Sequence, residues 1–168
     1  MKSFKERFIL LTGSNIGDRT WYLNNALILI EKNIGGVIKK SSVLSSEAWG
    51  FESEHKFLNQ ALLVESELTP LEVLAKIHEI ENHLGRIREK EQWVSRKIDI
   101  DILCYENLLF QNNELTVPHI QLHQREFALE PLCELVPNWV HPHLGISYSQ
   151  LLTSLKASVE TTRLKVRC

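Results

Sequence analysis

Apolar residues recur in two rhythms along this chain, and the change from one rhythm to the other marks its elements. Arg7 to Thr12 is a short apolar run that stops at Gly13-Ser14-Asn15, as a buried strand does on meeting a turn. Behind a capping Asp18, Leu23, Ala26, Leu27 and Ile30 follow at i, i+3, i+4 and i+7, which predicts a helix closed by Gly35-Gly36. Val37 to Glu47 and Ala61 to Glu67 read as a second and third strand, joined by a polar loop carrying Trp49, Gly50, Phe51 and Phe57. Thr69-Pro70 sets a capping hydroxyl before a proline at the first helical position. Val73, Ile77, Ile80 and Leu84 then give the buried stripe of a second helix, and Gly85 stops it.

Ile98 to Tyr105 returns to a period of two and makes the fourth strand. The order β-α-β-β-α-β predicts an α+β, ferredoxin-like fold, an antiparallel sheet with both helices on one face. The pattern then weakens into a C-terminal hairpin and short helices. Glu106 to Glu114 reads as hairpin or loop and Leu115 to Val117 as a short strand. Phe127 to Leu135 reads as a short helix interrupted by Pro131. Ser147 caps a last helix expected to end at Leu155, and residues 156–168 read as a frayed tail.

Composition narrows the class. With 168 residues, 43% of them hydrophobic, and a net charge of −2, the chain fits one soluble domain over 1–168. Such a balance gives no global pull toward nucleic acid, and no apolar run is long enough for a membrane span. Cys104, Cys133 and Cys168 are odd in number and lack C-x-x-C spacing, and the start MKSFKERF is too charged for a signal peptide. A cytoplasmic protein is expected.

The chemistry concentrates between Gly85 and Ile102. Strand alternation sends Ile98, Ile100 and Ile102 to one face and Asp99 and Asp101 to the other, roughly 7 Å apart. Paired carboxylates on an open face are hard oxygen ligands suited to Mg²⁺, and two metals about 4 Å apart could share them while clamping a phosphoryl group. Arg86, Arg88 and Arg96 stand just ahead, with the fork geometry that matches phosphate oxygens. A wet strand face beside a loop of solvated charges is the plainer alternative. Gly13-Ser14-Asn15-Ile16-Gly17 precedes a helix, where backbone N–H groups cradle anions, although a tight turn explains the same glycines. His119 and Arg125 are candidate phosphate donors, and no zinc-type spacing accompanies the histidines.

Taken in order, LLTGSNIGD, AWGFESEHKFLNQALLVES, IENHLGRIR, RKIDIDIL and LTVPHIQLHQREFALEPL resemble the 6-hydroxymethyl-7,8-dihydropterin pyrophosphokinase family of folate biosynthesis, from about Phe8 to Val140. The resemblance implies transfer of pyrophosphate from ATP, the co-substrate, to the hydroxymethyl group of a reduced pterin, giving AMP. It implies that Asp99 and Asp101 ligate two Mg²⁺ and act in catalysis with Arg86 and Arg96. Arg86, Arg88, Trp93, Arg96, Ile102, His119, Arg125, Glu81 and His78 are implied as ATP contacts, Arg88 and Trp93 within a mobile loop. Ser46, Glu47, Trp49, Phe57, Asn59, Trp93 and Phe127 are implied around the pterin, Phe57 and Phe127 as its stacking pair. The partners implied are small molecules, without nucleic acid or membrane, and the protein is expected to be a monomer.

This chain departs from the family in three places. The loop that often reads RWGPR is Gln92-Trp93-Val94-Ser95-Arg96 here, Ser46 and Ala48 stand where threonine and proline are common, and Ile120 replaces a tyrosine after VPH. Two rivals stay open. A nucleotidyltransferase also pairs a GS turn with D-x-D, but in that class the two motifs sit close, whereas more than 80 residues separate them here. A ferredoxin-like RNA-binding module would need bases to lie on strands that here carry acids.

Overall fold

The computed structural model describes residues 5–50, 52–86 and 95–166. Its elements run β1 (Glu6–Ser14), α1 (Arg19–Asn33), β2 (Gly36–Lys40), β3 (Leu44–Ser46), β4 (Phe57–Ser66), α2 (Pro70–His83) and β5 (Asp99–Tyr105), then a hairpin β6 (Phe110–Gln111) with β7 (Thr116–Val117), and finally α3 (Glu126–Leu135) and α4 (Tyr148–Val166). The main sheet is ordered β2-β4-β1-β5, with β3 also on β4, and its pairings are antiparallel. Counted as one broken strand, β2 and β3 complete the expected ferredoxin-like βαββαβ path.

Alternation along β1 and β4 divides the core in two. Phe8, Leu10, Leu62 and Val64 are buried under α1 and α2 with Ile98, Ile100 and Ile102, whereas Ile9, Leu11, Ala61 and Leu63 are buried beneath α3 and α4. α1 and α2 share one face, as the βαββαβ order predicts, and the C-terminal helices α3 and α4 cover the other. The register of β1 against β5 slips between Ile9 and Leu10, opposite Cys104 and Ile102. That irregularity lets Leu103 and Cys104 both join the α3/α4 core and returns Tyr105 to the α1/α2 side.

Three boundaries differ from the sequence reading. The strand predicted over Val37 to Glu47 breaks after Lys40. The Ser41 hydroxyl takes the N–H of Ala61 (2.9 Å), while Ser42 is drawn away by Glu134, which accepts from its N–H (2.8 Å) and its hydroxyl (2.6 Å). The third strand begins at Phe57, earlier than Ala61, since Leu58 and Asn59 already pair with Ser14 and Gly13 of β1. The last helix continues to Val166, well past Leu155 and through most of the expected tail. Lys156 bonds Glu130 of α3 (2.5 Å) and fastens the helix beyond its predicted end. Capping follows the sequence closely. Thr69 and Glu72 form a reciprocal capping box, and Ser147 exchanges the same kind of bonds with Gln150. Among the described residues no helix is long and apolar enough to cross a membrane.

Candidate active site

The α3/α4 layer does not reach the end of the sheet, and the uncovered corner holds a cavity of about 390 Å³. Its floor comes from one face of three strands, Leu11 and Gly13 of β1, Asn59 and Phe57 of β4, and Asp99 and Asp101 of β5. Pairing fixes the layout, with Gly13 opposite both Asn59 and Asp99 and Leu11 opposite Asp101. Gly13 leaves room for the Asn59 amide, since a Cβ there would stand 3.0 Å from Asn59 Oδ1 and that side chain would have to shift. Asn59 is buried, and its amide donates to Ser46 Oγ at 2.8 Å. Ser46, Glu47 and Trp49 form one wall of the cavity, and Arg96, His119, Ile120, Gln121, Arg125 and Phe127 complete it.

Charge is distributed unevenly over the acids. Asp99 is held by Arg86 Nη1 at 2.6 Å and by Arg96 Nη1 at 2.6 Å, one on each oxygen. Among the described residues Asp101 has a looser ion pair, with Arg125 at 3.7 Å, and burial, then the neighbouring Asp99, push its carboxyl up to about 7. Two carboxylates on one open face, one of them poorly compensated, form a hard-oxygen site whose repulsion a divalent cation would relieve. Among the described residues no third His, Cys, Asp or Glu gathers with them, so other ligands would come from water and phosphate.

His119 lines the same cavity. Burial, then Arg125, pull its imidazole down to about 4, so the ring is neutral at physiological pH. Its Nδ1 accepts the N–H of Gln121 at 3.2 Å, which places the ring proton on Nε2 as a donor. Arg125 is 9% exposed, and its guanidinium lies 4.7 Å from the Trp49 ring centroid and 5.8 Å from that of Phe127.

Other expected residues stand off the cavity wall. Arg86 lies behind Asp99, bonded also to Glu81. Glu81 is 1% exposed and accepts the N–H of Ile100 at 2.9 Å, so it anchors the outer edge of β5 between the two acids. The Ile102 side chain is packed in the α1/α2 core, which leaves only its main chain for a ligand. His78 is half-buried on α2, outside the cavity lining. Arg88 and Trp93 lie outside the described residues.

Sequence reasoning missed the role of Asn15. It is 1% exposed, its Oδ1 accepts the N–H of Arg96 at 2.6 Å, and its own N–H donates to the Arg96 carbonyl at 3.1 Å. Its Nδ2 reaches Ser95 Oγ at 3.0 Å and Ser53 Oγ at 3.2 Å. One amide thus ties the 13–17 turn to the loop before β4 and to the backbone that aims Arg96 at Asp99. The tight-turn reading of GSNIG fits: Gly17 has φ +70°, and Asp18 accepts the Trp21 N–H at 2.9 Å, which places a carboxylate at the helix start in place of an outside anion. Asn15→Ala is expected to cost about 2 kcal/mol, since Arg96 loses a buried acceptor. The amide of Arg96 should exchange its hydrogen much faster in that variant, and unchanged protection there would refute the clasp.

The chain matches the family model described as 7,8-dihydro-6-hydroxymethylpterin-pyrophosphokinase (HPPK) over residues 9–137. It is 42% identical over 130 residues to the 2-amino-4-hydroxy-6-hydroxymethyldihydropteridine pyrophosphokinase of Aquifex aeolicus, covering 77% of this chain and 80% of the relative. The protein of the same description from Bacillus subtilis is 39% identical, with 73% and 74% covered. Among solved structures, a Plasmodium falciparum HPPK-DHPS superposes with a TM-score of 0.77 at 15% identity, over 96% of this chain and 47% of that longer one. This last likeness speaks to the fold alone.

Proposed function

This chain belongs to the 7,8-dihydro-6-hydroxymethylpterin-pyrophosphokinase family, and on that premise we propose that the cavity at the end of the sheet is where it transfers pyrophosphate from ATP to 6-hydroxymethyl-7,8-dihydropterin in folate synthesis. The observation that carries the reading is the meeting, in one cavity, of Asp99 and Asp101 with Arg96, His119 and Arg125 on one side and with Asn59, Phe57, Trp49 and Phe127 on the other. The first set suits a triphosphate, the second a flat heterocycle with a hydrogen-bonding edge.

The reaction forms a bond from the substrate's hydroxymethyl oxygen to the β-phosphorus, breaks the bond between that phosphorus and the oxygen bridging to the α-phosphate, and releases AMP and the hydroxyl proton. Little covalent work falls to the protein, and its task is alignment and charge. Asn59 and Ser46 meet the edge of the pterin while Phe57 and Phe127 hold its faces. Arg96 and Arg125 neutralise phosphate oxygens, and His119 donates from Nε2. Arg86, gripped by Glu81, keeps Asp99 aimed into the cavity, and Ile102 offers its strand edge to the nucleotide. Glu47 and Trp49 close the loop wall. Asp99 and Asp101 would hold two Mg²⁺, which supply Lewis-acid neutralisation of the transferred group when bound. The reading extends to one domain over 1–168, acting as a cytoplasmic monomer on these two small molecules.

Incubation with ATP, Mg²⁺ and the hydroxymethyl dihydropterin should release AMP and the pterin pyrophosphate, and chelation of divalent cations should silence it. Release of pyrophosphate from ATP would favour a nucleotidyltransferase, and release of ADP would also exclude the reading.

A further inference from the structure

We infer that Gln121 is a positioning residue for this reaction, acting through Arg125. The inference rests on the functional reading above. Arg125 heads α3 and makes no side-chain cap to it. Its guanidinium is buried against the Trp49 and Phe127 rings, and Nε has no acceptor among the described residues. Asp101, at 3.7 Å, is beyond hydrogen-bonding distance. The short polar contact is Gln121 Oε1, which accepts from Nη2 at 2.6 Å.

Local backbone makes that contact possible. Gln121 begins a 3₁₀ turn, Leu122–Gln124, whose bonds Gln124 N–H to Gln121 O (3.0 Å) and Arg125 N–H to Leu122 O (3.2 Å) bring positions 121 and 125 together. The same residue's N–H fixes the His119 ring. One residue therefore sets two of the groups on the phosphate side of the cavity, His119 by its main chain and Arg125 by its side chain.

The acceptor type matters. A cation required by a phosphate must be oriented without being neutralised, and an amide oxygen does that whereas a carboxylate would form a competing ion pair. Gln121 therefore preserves the positive charge of Arg125 while restricting where it points. Its side chain is only half-buried, so replacing it leaves the core intact.

A double-mutant cycle tests this. Gln121→Leu should lower kcat/KM for ATP about tenfold and weaken calorimetric binding of a non-hydrolysable ATP analogue by a similar factor, with KM for the pterin and the melting temperature little changed. Gln121→Met, closer in shape, should behave alike and controls for disturbance of the turn. In an Arg125→Ala background the same Gln121 changes should cost less than twofold. An equal cost in both backgrounds, or full activity and ATP binding in Gln121→Leu, would overturn the inference. If the unmodified protein released no AMP, the functional reading would fall instead, and the calorimetric cycle would still report on the Gln121 and Arg125 pair.

Discussion

Asp101→Asn is expected to lower turnover about a thousandfold while leaving the melting temperature unchanged or slightly raised. Asparagine keeps the shape and one oxygen but removes the charge that would face a divalent cation and the transferring phosphoryl group. Losing a preorganised electrostatic contact of this kind typically costs two to three orders of magnitude in rate. The stability half of the expectation comes from geometry. Asp101 lies on the same face as Asp99, and among the described residues its ion pair is the 3.7 Å one with Arg125, so its charge is a burden on the ligand-free fold. Asp99→Asn makes the contrast, because it also removes two ion pairs of 2.6 Å and should lower both rate and melting temperature. Steady-state AMP release beside thermal melts separates the cases. Near-native turnover in either variant would remove these acids from the reaction.

Glu81→Ala should be the most destabilising of the changes considered, by about 3 kcal/mol or more, because removing one member of a buried pair strands the other. Glu81 is the acceptor for both Arg86 and the Ile100 N–H. For a domain of this size, such a loss corresponds to a melting temperature lower by about 10 °C. Glu81→Gln keeps an acceptor for Ile100 but gives up the charge facing Arg86. That variant should fold, show an intermediate melting temperature, and lose kcat as Arg86 no longer holds Asp99 in register. A melting temperature unchanged in Glu81→Ala would show that the edge of β5 is secured by other means.

Glu81, which the resemblance places near the nucleotide, is buried and bonded to Arg86 and to the Ile100 N–H, so its visible work is to brace β5 behind the cavity. Ile102 is similar, with a side chain turned into the α1/α2 core and only backbone available to a ligand. Arg96, His119, Arg125, Asn59 and Phe127, by contrast, line the cavity itself.

What the sequence by itself determined is whatever repeats over a few residues. The isoleucines and acids of Ile98 to Ile102 were bound to part to opposite faces, Thr69 with Pro70 marked a helix start, and the strand and helix order predicted the βαββαβ sheet path. Tertiary structure alone decided the rest. Asn15 meets Arg96 across 81 positions, Ser42 meets Glu134 across 92, and the C-terminal helices close the second face of the sheet. Those partners share no local period. Their pairing exists only once the sheet has brought distant segments together, and each donor there takes whichever acceptor the packing leaves within reach.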